Sequence, residues 1–300
     1  MFVTSILTVL GLALFETVSS VDNAVINSQV LSTMSKKGRR WFLLCGLLVA
    51  VFLMRGLLPL LLVWATNPSL GLWGALTATF NNDPRVNTSI QQSAPTLLIA
   101  GGTFLLFLFF HWLFIQPKEF GFRGERFFLK QGIWFYAVVS ITLAFIVWLS
   151  ISVNPFMAFG AVVGSTAFFV THGFREQAER NEEKLLSEGK SDVSKILYLE
   201  VIDATFSIDG VLGAFAFTLS VPLILLGSGI GALVVRQLTV GNIERIQKYK
   251  FLENGAMYSI FVLGLIMILD SFKVGIPEWV SPIVTFLIVG YFFLKSRRAL

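Results

Sequence analysis

A chain of 300 residues that is 55% hydrophobic, 14% aromatic and only 14% charged, with a mean hydropathy of +0.76, has more apolar surface than a soluble core can hide. Apolar stretches of about 20 residues recur along its length, which excludes a soluble domain on one anchor and makes the membrane part the protein. The formal charge of +5 does not point to nucleic acid, since no polar segment gathers a basic and aromatic face, and the single Cys45 excludes an internal disulfide framework.

In chain order, the first apolar stretch covers 2 to 33. It lacks a basic leader and an Ala-x-Ala cleavage site and runs on past Glu16 towards Met34, so it reads as a retained helix and not a signal peptide. Further spans are expected at 41 to 65, 95 to 116, 131 to 151, 156 to 172, 195 to 218, 221 to 240, 251 to 270 and 279 to 295. The fold class is therefore all-α, a polytopic bundle of nine spans. Segment 66 to 94, with Asn81, Asn82, Asp83 and Pro84, reads as a long exterior loop or cap, and the charged segment 173 to 194 as a solvated linker between two halves.

The basic residues sort by side. Lys36, Lys37, Arg39 and Arg40 occupy one loop, and alternate loops after it hold the groups around Arg126, Lys190, Lys248 and Arg297. The opposite loops hold only Arg85 and Lys273. The positive-inside rule then sets the amino terminus outside and the carboxyl terminus in the cytoplasm, as in a bacterial-type inner (plasma) membrane.

Ser20-Val21-Asp22-Asn23 aligns with Ser207-Ile208-Asp209-Gly210, and the same register sets Glu16 over Asp203. In the following spans Gly46 and Arg55 keep the spacing of Gly227 and Arg236. Spans one to three thus resemble spans six to eight. An odd number of crossings separates the units, so they run oppositely, as an inverted three-plus-three helix repeat. The whole chain is one transmembrane domain: repeat one at 1 to 116, connecting helices at 128 to 172, repeat two at 193 to 271, and a final span at 279 to 296.

Span one carries Glu16 and Asp22 and span six carries Glu200, Asp203 and Asp209. An ionisable group at such depth costs about 2.5 to 3.5 kcal/mol on insertion scales, so each needs a partner, a proton or an ion. The structural reading pairs Asp22 and Asp209 with Arg55 and Arg236, but two guanidiniums leave three carboxylates unbalanced. A divalent cation with a proton balances them. In a straight helix six residues turn the chain by about 600°, so the two acids of each pair do not share a face. Thr17, Ser19, Ser20 and Asn23, and Thr205, Ser207 and Gly210, suit helices opened locally to aim both acids inward. The oxygen-rich set, with Asn23 beside it, suits Mn²⁺, Mg²⁺ or Ca²⁺ better than zinc or copper. His111 and His172 read as ordinary helix-end histidines, and Glu253 and Asp270 as interfacial carboxylates with a gating role as the alternative.

The motifs around Glu16 with Ser20-Val-Asp22-Asn23, and Glu200-Val-Ile-Asp203 through Asp209-Gly210, resemble those of the TerC family of integral membrane proteins. The resemblance continues through Gly229-Ile-Gly231 and Arg236 to Glu253-Asn-Gly255. It implies kinship with the LysE-type transporter superfamily, manganese export, an association with tellurium resistance by name, and an ion pathway lined by the acids of both motifs. The expected function is a non-enzymatic transporter exporting a divalent ion, Mn²⁺ foremost, in exchange for protons. Its expected partners are the lipid bilayer, the metal ion and protons, without nucleic acid. Competing readings are a membrane scaffold with structural ion pairs and an intramembrane aspartyl protease; Asp209 in Ile-Asp-Gly lacks the Gly-x-Gly-Asp context of the latter.

Overall fold

The structure, a computed structural model, describes residues 2–42, 84–187, 191–241 and 248–299 and the isolated positions 46, 64, 71, 73 and 74. Within these, the side chains of 22, 23, 26, 84–92, 178–187, 202, 204–207, 240 and 241 lie outside the description. Among the described residues every regular element is helical. The elements are α1 (Phe2–Ser19), α2 (Val21–Ser32), α3 (Lys36–Trp41), α4 (Pro84–Phe114), α5 (Glu125–Lys130), a 3₁₀ turn (Gly132–Trp134), α6 (Phe135–Ile151), α7 (Pro155–Ser187), α8 (Asp192–Ala214), α9 (Val221–Gly241), α10 (Leu252–Ser271) and α11 (Val280–Arg298).

Seven of these helices are long and apolar enough to cross a membrane: α1, α4 from Ser93, α6 with the turn before it, α7 up to Gln177, α9, α10 and α11. The protein is accordingly an integral membrane protein. The sixth expected span, α8, is not among the seven because Lys195, Glu200, Asp203 and Asp209 charge it too heavily. The second, with Cys45 and Arg55, lies almost wholly outside the described residues. Two boundaries are corrected. The polar segment expected as loop up to residue 94 is helical from Pro84, because Pro fits a first helical position. The expected linker after 172 continues α7 to Ser187, since its Glu, Lys, Arg and Ala residues are strong helix formers.

α4 is the axis of the bundle. It packs on α10 and α7, while α1 packs on α9 and α11. Small residues set the closest seams: a Cβ added to Gly102 of α4 would lie 2.9 Å from the Gly264 carbonyl oxygen of α10, and one on Gly160 of α7 would lie 2.7 Å from that of Thr96. Between the seams, Phe104 and Phe107 of α4 meet Phe168 of α7 edge-on at 6.0 and 5.9 Å. The pairs Gly227 on Leu12 and Gly231 on Glu16 show that α1 and α9 run in the same direction; Gly102 on Ile268 and Trp112 beside Tyr258 show that α4 and α10 run oppositely.

Candidate functional site

The α1–α2 helix is interrupted at one residue, Ser20, which leaves the α-helical backbone at φ −97° and ψ 9°. Ser20 Oγ donates to Glu16 Oε1 at 2.9 Å, so the residue at the interruption also holds the carboxylate of the preceding turn. Glu16 is buried, at 1% exposure. Two glycines make room for it. A Cβ on Gly231 of α9 would stand 2.8 Å from Glu16 Cγ, and a Cβ on Gly210 of α8 would stand 2.9 Å from Oε2. The carboxylate is thus wedged between α8 and α9, near the middle of the α1–α2 run.

The expected opening of the second motif does not occur: α8 is one unbroken helix through Thr205, Ser207 and Gly210. Continuous helix geometry sends its acids to different surroundings, because Glu200 and Asp203 share a face while Asp209, nine residues beyond Glu200, points about half a turn away. Asp203 Oδ1 accepts from Asn27 Nδ2 of α2 at 3.2 Å. Glu200 packs on Gly46, and its buried Oε1 receives no hydrogen bond among the described residues; the same is true of Asn27 Oδ1. Among the described residues the α2–α8 seam therefore holds two buried acceptors without donors.

Asp209 turns towards α7, where Arg175 Nη2 donates to its Oδ2 at 2.6 Å, a salt bridge whose side chains are 14% and 18% exposed. Arg175 was read as one of the basic residues of a linker. It is instead a membrane-end guanidinium reaching back into the bundle, and its signal was its place one helical turn beyond His172 on an uninterrupted helix. His111 and His172, far apart in sequence, lie with ring centroids 3.9 Å apart, and His172 stacks on Phe168 at 5.7 Å. Both histidines adjoin the charge of Arg175. Asp209 in turn lies within the field of Glu16.

Not every expected site residue comes into this arrangement. Asp22 and Asn23 lie on α2 with side chains outside the description, and Arg55 is outside the described residues altogether. Arg236 is part-buried on α9, and the described residues give it no salt bridge. Among the described residues, no three His, Cys, Asp or Glu side chains stand close enough to hold a metal ion. Glu253 accepts from Trp112 Nε1 at 2.8 Å and Gln116 Nε2 at 3.1 Å, which binds it to the α4 end. Asp270 accepts from the Ile276 amide at 2.8 Å and closes the turn after α10.

The amino end of α8 is latched to the α2–α3 corner. Ser35 donates through its hydroxyl to Asp192 Oδ2 and through its amide to Oδ1 at 3.2 Å, and Lys195 Nζ donates to Thr33 Oγ1 at 2.9 Å. The hydrogen bonds from Ser35 hold the Asp192 carboxyl below the ordinary carboxylate range.

The family that matches this chain, over residues 21–299, is described as Protein of unknown function (DUF475). That match replaces the TerC resemblance, and with it the implied kinship to LysE-type transporters. Short acidic motifs on apolar helices hold too few residues to stand against a match over nearly the whole chain. No curated protein and no solved structure matches.

Proposed function

We propose that this chain, which belongs to the DUF475 family, carries a hard divalent cation across the membrane along the seam of α1–α2 with α8 and α9. The observation that carries the reading is the set of acceptors there: among the described residues Glu200 Oε1 and Asn27 Oδ1 are buried without donors beside Asp203, one seam away from buried Glu16. Oxygen acceptors left without hydrogens in an apolar protein are the donor set that Mn²⁺, Mg²⁺ or Ca²⁺ takes, and no sulfur lies in the motifs to prefer a softer ion. Asp22 and Asn23, which follow the Ser20 interruption in the chain, are further ligands in this proposal. Asp209 already has the Arg175 guanidinium, so its role is to hold α7 to the pathway.

Reciprocal packing supports the inverted repeat. Leu12 of the first span lies on Gly227 of the seventh, and Glu200 of the sixth lies on Gly46 of the second, while the third and eighth spans, α4 and α10, pair in opposite directions. With α8 and the 41 to 65 segment added to the seven apolar helices, the count is nine, with the amino terminus outside and the basic loops in the cytoplasm. Export follows if the ion loads from the cytoplasmic side, and protons returning to the same carboxylates supply the exchange, since metal and proton neutralise the same buried charge.

The test is flux into proteoliposomes containing a divalent-sensitive dye. Wild type admits Mn²⁺ with a pH change of opposite sense inside. Glu16→Gln and Glu200→Gln keep side-chain size and lose charge, so they abolish flux while the protein elutes as a single folded species. Undiminished flux in the double variant sinks the reading.

A further inference from the structure

At the end of the bundle where α8 and α10 terminate, a cavity of about 150 Å³ opens between Phe217, Thr218, Asp270, Glu278 and Ser281. Its walls are fixed: Ser281 Oγ donates to the Ala216 carbonyl at 2.6 Å, and Asp270 Oδ1 closes the turn through the Ile276 amide. Its lining is mixed, with Thr218, Asp270, Glu278 and Ser281 set among apolar side chains, and it is large enough for several waters. Between this cavity and Glu16 stand two rings. Phe15, the residue before Glu16, lies on the backbone of α8, where a Cβ on Gly213 would meet its ring at 2.5 Å. Phe217 follows at a ring separation of 5.7 Å and forms the cavity wall itself. Each ring is 2% exposed.

Along α8 the order is therefore Gly210 at the Glu16 carboxylate, Gly213 under Phe15, then Phe217, then the cavity. The helical part of this path, from Gly210 to Ala214, rises only about 6 Å. Two apolar rings packed at a tilt of 45° across so short a distance exclude water from the carboxylate without moving any helix, which is how an apolar constriction gates an ion path. We infer that Phe15 and Phe217 form an apolar gate that separates Glu16 from a hydrated vestibule, through which the cation passes at this end of the bundle. The inference rests on the transport reading for what passes, and on geometry alone for the barrier.

The experiment reads the barrier without requiring flux. In a Cys45→Ser background, single cysteines are introduced as Thr218→Cys or Glu16→Cys, and a charged, membrane-impermeant thiol reagent is applied from either side of reconstituted vesicles. Thr218→Cys reacts from one side. Glu16→Cys is protected from that side, and adding Phe217→Ala raises its reaction rate by about tenfold or more. Phe15→Ala carries the same expectation where Phe217→Ala does not elute as a single species. Equal Glu16→Cys rates with and without the rings, or Thr218→Cys inert from both sides, overturns the gate. A gate that opens in a protein without metal flux leaves the gate standing and removes the transport reading.

Discussion

Buried Glu125 and half-buried Glu200 are surrounded in opposite ways. Glu125, at the turn that follows α4, is 1% exposed and receives four hydrogen bonds: from the amides of Gly121 at 2.8 Å and Phe122 at 3.1 Å, from Asn254 Nδ2 at 3.2 Å and from the Tyr258 hydroxyl at 2.9 Å. Glu200 presses a buried oxygen against Gly46 with no donor among the described residues. The first is saturated by donors from two segments of the chain; the buried oxygen of the second meets none among the described residues. A carboxylate saturated by the protein ties loops together, whereas the proposed transport reading makes Glu200 a ligand for the passing ion. Lys118 and Lys295 extend the saturated region. Lys118 Nζ donates to the Leu113 carbonyl at 2.8 Å and lies 4.1 Å from the Trp112 ring, and Lys295 Nζ lies 5.0 Å from Phe122 and donates to the Gly121 carbonyl.

The contrast breaks most sharply at Glu125. Glu125→Ala orphans four donors, each worth about 1 to 3 kcal/mol when buried unpaired, so thermal unfolding in detergent shows a loss of about 4 kcal/mol or more. Flux per folded molecule stays at the wild-type level. A tolerated Glu125→Ala would erase the distinction between the two glutamates.

Arg175→Ala comes next. It leaves Asp209 buried without its partner, at a cost of about 3 to 5 kcal/mol, and adding Asp209→Asn restores most of that loss because the uncompensated charge goes with it. The double-mutant cycle checks this, and additivity of the two single effects would remove the ion pair from the structure's account.

Glu200→Gln has the smaller stability effect, within about 1 kcal/mol of wild type or slightly stabilising, because no donor among the described residues loses a partner and a half-buried charge disappears. It pairs that mildness with lost flux. Melting temperature and proteoliposome flux measured on one preparation decide it, and a stability loss as large as that of Glu125→Ala would show that Glu200 is structural too.

The least effect is expected at the surface latch. Ser35 lowers the Asp192 carboxyl, so the latch contributes stability above the ordinary carboxylate range and loses it as pH falls through the lower, folded-state value. The melting-temperature difference between wild type and Ser35→Ala is then present at neutral pH and vanishes in acid. A difference independent of pH assigns the latch to Lys195 and Thr33 alone.

The sequence by itself determined the membrane class, the helical content and the acidic positions, because hydropathy and the cost of buried charge act residue by residue. Its ends of spans were legible to within a few residues for α9, α10 and α11, where Gly or polar turns interrupt apolar runs, and illegible for α4, where a polar segment begins the helix at Pro84, and for α7, where charged residues of high helix propensity carry the helix beyond the apolar run. Only tertiary structure decided the partners. Asp209 finds Arg175, Asp203 finds Asn27, His111 finds His172 and Glu16 finds two glycines, each on another helix, and which faces meet depends on crossing geometry that no single helix encodes. The family likewise followed from the chain as a whole and not from its acidic motifs, since a few acids at helical spacing satisfy a local electrostatic need that different folds share.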